Sequence, residues 1–434
     1  MNKIIFITLG CKVNHYETEC MKTIFSENGY EITDVRKEAD VVIINSCTVT
    51  SSGDSRTLNA LKKIREELPN AVIALTGCYP QANIKEASQI AEADIISGTK
   101  ERSKLVELVG KCLKERSRTI MLSDYSKDDD FECLQFTSTD SRTRAVVKIQ
   151  DGCNQFCSYC IIPYARGRCR SKPLNVLRDE VKYMAENGKK EIVLSGINLA
   201  FYGQEFNLNL ADAVEVCAEI EGIERIRLGS LEPEMMSDEL LERLAALPKF
   251  CPHFHLSLQS GCSKTLKAMN RRYNAEEYWE LMQRIRRALP ECSFTTDIMV
   301  GFPQETDEDF NESLNFVKKA GFSKIHVFRY SRRKGTVADR MGGQIPENLK
   351  SKRWHKMNSV ANQSREEYLK SLVGKTVKVL FERENNSDFY HGYAPDYSMI
   401  KIPRKNLKKS LRNTIICVTI VESFSDYCLG IISD

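Results

Sequence analysis

Three times near its start the chain repeats one pattern: an apolar run, a cysteine, then a helix-like stretch. The runs are Ile4 to Leu9 before Cys11, Val41 to Ile44 before Cys47, and Ala71 to Leu75 before Cys78. Continuous β-branched runs alternating with helices demand a parallel sheet covered on both faces. Ligands of such sheets gather beyond the carboxyl ends of the strands. All three cysteines sit there, on loops that the sheet would bring side by side, where three thiolates could hold an iron-sulfur cluster and leave one iron open. Coincidence is the competing reading, since the chain has 16 cysteines. Identical placement in three successive units weighs against it. Cys20 and Cys112 fall inside helix-like stretches and Cys133 in a polar connector, so none of these is read as a ligand.

An acidic, polar stretch from Ser123 to Asp140 reads as a linker. A longer α/β series follows, with strand candidates at Ala145 to Ile149, Glu191 to Leu194, Arg225 to Leu228, His253 to Leu258, Phe294 to Met299 and Lys324 to Phe328. Stretches with helical periodicity lie between them: Val176 to Glu186, Asp238 to Leu247, Tyr278 to Ala288 and Asp307 to Ala320. Six βα units are too few for an eight-stranded barrel and predict an open, partial one. From about Ser371 the pattern changes to five short strands with polar turns: Thr376 to Phe381, Tyr390 to Ala394, Ser398 to Ile402, Thr414 to Val421 and Tyr427 to Ile432. These suggest a small barrel of the oligonucleotide-binding kind. The expected fold class is therefore α/β multidomain, with a parallel-sheet domain over 1–120, a linker over 121–140, a partial (βα)6 barrel over 141–370 and a small β-barrel over 371–434.

At the start of the central series stands the run Asp151-Gly152-Cys153-Asn154-Gln155-Phe156-Cys157-Ser158-Tyr159-Cys160. A ferredoxin run closes its cluster with cysteines alone, and a structural zinc site wants two CxxC pairs or histidine partners. A CxxxCxxC spacing fits neither and instead supplies three corners of one iron-sulfur cube. Three buried core thiols would be the bland alternative, but core thiols have no reason to share one spacing in a Gly-rich, aromatic-flanked loop.

Composition sets the surroundings. With 28% charged and 42% hydrophobic residues the chain carries no apolar run long enough to cross a bilayer, and Met1 to Ile7 leads directly into a strand candidate. Sixteen cysteines without an export signal point to a reducing compartment and a cytoplasmic protein. The net charge of +4 permits a nucleic-acid partner without arguing for one. No coiled coil or large exposed apolar face is legible, so a monomer is the default expectation.

Polar groups recur where the barrel strands end, the place where barrel enzymes carry their sites. Gly196 and Asn198, Ser230 and Glu232, Gln259, and Asp297 have the chemistry to contact a cofactor lying across the barrel mouth. Singly, each is more often a cap or turn residue; their joint placement is the argument. The connector from Arg404 to Arg412 concentrates positive charge in one loop of the small barrel, which a solvated basic loop would explain equally well.

The CxxxCxxC run resembles that of the radical S-adenosylmethionine enzymes, whose open iron chelates the methionine moiety. Over its full length the chain is similar to the methylthiotransferase branch: cysteine-bearing amino-terminal domain, radical barrel and carboxy-terminal TRAM domain. Within that branch, Thr8-Leu9-Gly10-Cys11-Lys12-Val13-Asn14, and Asp151 to Cys157 followed by Ile161-Ile162-Pro163-Tyr164-Ala165-Arg166-Gly167-Arg168, resemble the enzymes acting on tRNA N6-threonylcarbamoyladenosine. Cys169 departs from the family pattern. The resemblance implies two 4Fe-4S clusters, one on Cys11, Cys47 and Cys78 and one on Cys153, Cys157 and Cys160. It also implies two molecules of S-adenosylmethionine: one methylates a sulfide on the first cluster, and the other is cleaved at the second to a 5′-deoxyadenosyl radical that functionalises adenine C2 at position 37. No side-chain acid or base is needed, because cofactors carry such chemistry.

Further expectations follow from the same resemblance. The anticodon loop should be met by stacking and cationic grooves, with Arg329, Arg332, Arg333 and Lys334 after the sixth strand and Lys405, Lys408, Lys409 and Arg412 on the small barrel. A flavodoxin or ferredoxin would supply electrons. The same chemistry on N6-isopentenyladenosine or on a ribosomal-protein aspartate is the nearest alternative. A non-catalytic, redox-sensing RNA-binding protein is a distant one.

Overall fold

The computed structural model describes residues 1–126, 129–134, 142–382, 388–405 and 409–433. The chain divides into two compact units, one of residues 1–140, 148–176 and 331–340, the other of residues 141–147, 177–330 and 341–434.

In the first unit six parallel strands form one sheet, in spatial order Glu31–Ile32, Lys3–Thr8, Val41–Ser46, Val72–Gly77, Ile95–Ser97 and Thr119–Met121. The expected covering of both faces is visible in the alternation of the strands. Ile5, Val42, Ile44, Ile73, Leu75 and Ile96 pack with Leu61 and Ile64 of helix Ser51–Glu67. Their neighbours Ile4, Val41, Ile43, Val72, Ala74 and Ile95 pack instead with Met21 and Phe25 of helix Lys12–Glu27 and with Leu105, Val109 and Cys112 of helix Leu105–Glu115. Every residue of the two central strands is buried, which is why they read as unbroken apolar runs. Cys20 and Cys112 lie in this core, and Cys133 is exposed. The sheet is wider than the three expected strands, because the three additional strands span only two or three residues each.

The second unit holds the partial barrel. Its strands are Arg144–Lys148, whose last residue belongs to the first unit, then Glu191–Ser195, Arg225–Leu228 continued as Ser230–Leu231, His253–Leu256, Ser293–Val300 and Lys324–Arg329. The recorded pairings run parallel, with Ile192 beside Ile226, Phe254 beside Phe294, and Asp297 beside His326. Side-chain caps start the intervening helices: Asn209, Asn274 and Thr306 each complete a reciprocal capping box with the acid three residues on.

The carboxy-terminal segment closes into a five-stranded barrel in the order Thr376–Phe381, Phe389–Tyr393, Met399–Pro403, Cys428–Ile432 and Ile415–Ser423. It docks where the strands of the partial barrel begin. Arg225 donates to the carbonyls of Tyr393 at 2.9 Å and Lys378 at 2.6 Å, Arg227 to those of Pro395 at 2.7 Å and Ala394 at 3.2 Å, and Ser293 to that of Asp396 at 2.8 Å. Glu191 balances the two arginines, and Tyr397 stacks against the Arg144 and Arg227 guanidinium groups. Among the described residues no helix is long and apolar enough to cross a membrane.

Candidate functional site

Cys11, Cys47 and Cys78 each follow the carboxyl end of a central strand of the first sheet, and a hydrogen-bonded frame holds their loops together. Asn14, one turn into the helix that Cys11 caps, donates to Leu9 O and to Ser46 O at 2.8 Å each, so it ties the first loop to the second. Ser46 Oγ donates to Thr76 O at 2.6 Å and accepts from the Tyr79 amide at 3.2 Å, tying the second to the third. Gly10 sits at φ +118, and a Cβ there would stand 2.7 Å from Cys47 Cβ. Only glycine permits the approach. Cys11 is exposed, Cys47 half-buried and Cys78 buried.

Burial pushes the Cys78 thiol up to about 12; the Arg166 guanidinium opposes this, and Cys11 and Cys47 add to it. Cys47 is also raised, again mainly by burial. A coordinating iron displaces such protons outright. In iron-free protein at pH 8, iodoacetamide should modify Cys11 well ahead of Cys78, read by peptide mass spectrometry; equal rates would contradict this placement.

The loop of Cys153, Cys157 and Cys160 belongs to the same unit, and all three thiols are half-buried. Gly152 enters it at φ +72, where a Cβ would collide with the Arg168 carbonyl, and Cys153 N donates to Gly167 O at 3.0 Å. Asn154 Oδ1 accepts from the Cys169 amide at 3.2 Å, so the family-atypical Cys169 lies against this loop. The Ala338 amide donates to Ser158 O at 2.7 Å.

One side chain joins both cysteine sets. Arg166, fully buried, donates from Nε to Cys78 Sγ at 3.2 Å, from Nη2 to Asn14 Oδ1 at 2.8 Å, and from Nη1 to Glu17 at 2.7 Å and Asp151 at 3.2 Å. Glu17 also takes Lys148 at 2.7 Å and Arg102 at 2.9 Å. Burial alone would raise the Glu17 carboxyl, but Arg102, Arg166 and Lys148 override it and hold it at about 2. Asp151, two residues before Cys153, is likewise held well below the carboxylate range by Lys148, Arg166 and Arg170 against the opposing effect of burial. Sequence reasoning quoted Asp151 and Arg166 inside motifs without giving them work, and it missed Glu17, Lys148 and Arg102. The usable signal was Glu17 itself, placed to share a helix face with Asn14.

In the second unit the expected cofactor residues stand near the carboxyl ends of the barrel strands. Gly196 follows strand Glu191–Ser195, Asn198 is buried just beyond it, and Ser230 is exposed. Glu232 pairs with Arg271; burial pushes its carboxyl up to about 7, partly opposed by that arginine. Gln259 adopts φ +66, held by its amide on Asp297 O and its carbonyl on the Met299 amide, both at 2.8 Å. Its Oε1 is buried with no hydrogen-bond partner among the described residues. Asp297 accepts from His255 Nε2 at 3.2 Å. A strained residue aiming an orphaned acceptor, beside carboxylates, suits a ligand that brings its own ammonium and hydroxyl donors. These residues have the acceptor chemistry for S-adenosylmethionine, and each thiol set has the three soft ligands of a cluster with an open iron, although among the described residues no three Cys, His, Asp or Glu side chains are already gathered around a metal position.

The basic residues divide. Arg329 pairs with Glu347 at 3.6 Å, Arg332 with Asp339, and Lys334 with Glu86 at 2.8 Å, all at the surface. Lys405, Lys409 and Arg412 are exposed, and Lys408 lies outside the described residues. Arg333 corrects the expectation of an RNA contact: it is 5% exposed and bonds Asp54 at 2.6 Å and Thr48 at 2.8 Å, bracing the loop after Cys47.

A six-stranded partial barrel whose first strand leads into a CxxxCxxC loop is the pattern of a radical S-adenosylmethionine enzyme. The profile of the Radical SAM superfamily matches residues 147–317, and that of Uncharacterized protein family UPF0004 matches residues 3–98. The fold is shared with the radical S-adenosylmethionine methyltransferase TsrM from Kitasatospora setae, at a TM-score of 0.59 and 12% identity over 84% of this chain and 89% of that one. Threonylcarbamoyladenosine tRNA methylthiotransferase MtaB of Bacillus subtilis is 38% identical over 92% of this chain and 90% of its own length. The tRNA-2-methylthio-N(6)-dimethylallyladenosine synthase of Clostridium novyi is 37% identical over 89% and 87%. The chain belongs to the tRNA methylthiotransferase family of radical S-adenosylmethionine enzymes; it is a transferase that works with 4Fe-4S chemistry and S-adenosylmethionine.

Proposed function

We propose that this enzyme replaces the C2 hydrogen of N6-threonylcarbamoyladenosine at position 37 of tRNA with a methylthio group. It does so in the cytoplasm, as a monomer, using two 4Fe-4S clusters and two S-adenosylmethionine per turnover, with flavodoxin or ferredoxin as reductant. The observation that carries the reading is the presence of two three-cysteine sets in one compact unit, bridged by Arg166. The relatives matching nearly the whole chain act on both threonylcarbamoyl- and dimethylallyl-adenosine at nearly equal identity. The choice of substrate therefore rests on Thr8 to Asn14 and on the run from Asp151 to Arg168.

When bound, the clusters and S-adenosylmethionine supply the radical and sulfur chemistry that no side chain can provide. The chain's own work is placement. Asn14, Ser46 and Gly10 hold three thiols at one end of a rigid sheet, and Gly152 and Asn154 shape the second loop. Gln259, Glu232 and Asp297 offer acceptors to the cofactor's amine and hydroxyls. Lys405, Lys409 and Arg412, with Arg329, Arg332 and Lys334, present cations to the tRNA backbone. Changing Lys405 and Lys409 together to alanine should weaken tRNA binding and lower its logarithmic salt slope by about 0.7–0.9 per lost phosphate contact, measured by filter binding across salt. Unchanged affinity and slope would remove this loop from the interface.

The reading is tested by anaerobic turnover with reconstituted enzyme, S-adenosylmethionine and a strong reductant, offering tRNA with threonylcarbamoyladenosine and tRNA with isopentenyladenosine in parallel. Mass spectrometry of the nucleosides should show the methylthio-for-hydrogen gain on the first. A gain on the second alone would transfer the chain to the other substrate.

A further inference from the structure

Buried cations cluster around Arg166. Arg102, Lys148, Arg166 and Arg170 are each less than a tenth exposed, and among the described residues of this unit Glu17 and Asp151 are the carboxylates as deeply buried. Glu132, which pairs with Arg102, and Asp129, which interacts with Arg170, lie nearer the surface at 23% and 19% exposed. Cations are costly to bury without close counter-charge, so a further anion beside them would be stabilised in this unit. Arg170 leaves Nε and Nη1 without a hydrogen-bond partner among the described residues. Arg166 gives the direction: its Nε–H is aimed at Cys78 Sγ, 3.2 Å away, while its other nitrogens are fixed by Asn14, Glu17 and Asp151. A 4Fe-4S core held by three thiolates is net anionic, and more so when reduced.

We propose that Arg166, which follows the CxxxCxxC cysteines in sequence, is a positioning residue for the other cluster: it fixes the Cys78 sulfur and stabilises that cluster's reduced state. The proposal rests on the reading of Cys11, Cys47 and Cys78 as cluster ligands. A hydrogen bond and a positive charge at a ligating sulfur both favour the added electron and raise the reduction potential. The rigid frame matters as much, since a guanidinium held by three partners does not rotate away. The loop of one cysteine set thereby tunes the cluster of the other.

The test uses full-length protein carrying Cys153→Ala, Cys157→Ala and Cys160→Ala, so that only one cluster remains. Potentiometric titration followed by electron paramagnetic resonance compares Arg166 with Arg166→Gln and Arg166→Lys. The expected result is at least a tenfold loss of reduced-state stability in Arg166→Gln, a fall of about 60 mV for one electron, with Arg166→Lys between the two. A second measurement needs no substitution at Arg166. Protein labelled with nitrogen-15 arginine should show a nitrogen hyperfine coupling to the reduced cluster, and this alone decides the question if Arg166→Gln fails to fold. An unchanged potential or an absent coupling overturns the proposal. Protein lacking iron altogether would refute the ligand reading, and the proposal with it.

Discussion

Alanine at Cys153, Cys157 and Cys160 together is expected to end turnover completely while leaving about half of the bound iron. On the proposed reading the two thiol sets, separate in sequence, would each supply three corners of a cube, so removing one set should cost about four of about eight irons. Production of 5′-deoxyadenosine should vanish even with tRNA and reductant in excess. Iron and sulfide analysis, with the nucleoside assay, reads both effects in one preparation. Persistent 5′-deoxyadenosine would mean that the cleaving centre lies elsewhere, and complete loss of iron would mean that the two sets form one site.

The second large effect concerns stability. Glu17 accepts from Arg102, Lys148 and Arg166 in a site closed to water. Glu17→Gln keeps the shape and removes the charge, leaving buried cations uncompensated at a cost of about 3–5 kcal/mol. The pH dependence has a definite sign. The folded carboxyl is held at about 2, below its ordinary value of 4.5. Its contribution is therefore present above pH 4.5 and lost as pH falls toward 2. Thermal unfolding of the parent should show that acid loss. Glu17→Gln should unfold several degrees lower at neutral pH and show a shallower acid slope, with the remainder due to Asp151. Identical curves would show that the network is held together by something other than charge.

How far the sequence could be read follows from the range of the interactions involved. The central strands of the first sheet, all six barrel strands and all five strands of the small barrel were legible to within about two residues, because burial on both faces or one writes a local pattern. The edge strands Glu31–Ile32 and Thr119–Met121 are too short to leave one. Helix Glu347–Lys370 escaped for another reason. Its buried face includes Lys350 and Arg353, which bond Tyr330 O and Glu305, so it has no clean apolar stripe. The cysteine candidates stood out by spacing and by position after strands. Their supports did not, because Glu17 meets Arg102 across 85 residues and Arg166 across 149. Arg333 was misread for the same reason: a cation in a basic run looks solvated until the fold brings Asp54 to it.

The docking of the small barrel has a consequence for how this protein tolerates change. Arg225, Arg227 and Ser293 grip it through backbone carbonyls of Lys378, Tyr393, Ala394, Pro395 and Asp396. Every residue type carries a carbonyl. Amino-acid identity along much of that turn is therefore free to drift, while an inserted or deleted residue would shift several acceptors at once and strand buried guanidinium groups. Natural variants should diverge in letters there and agree in length.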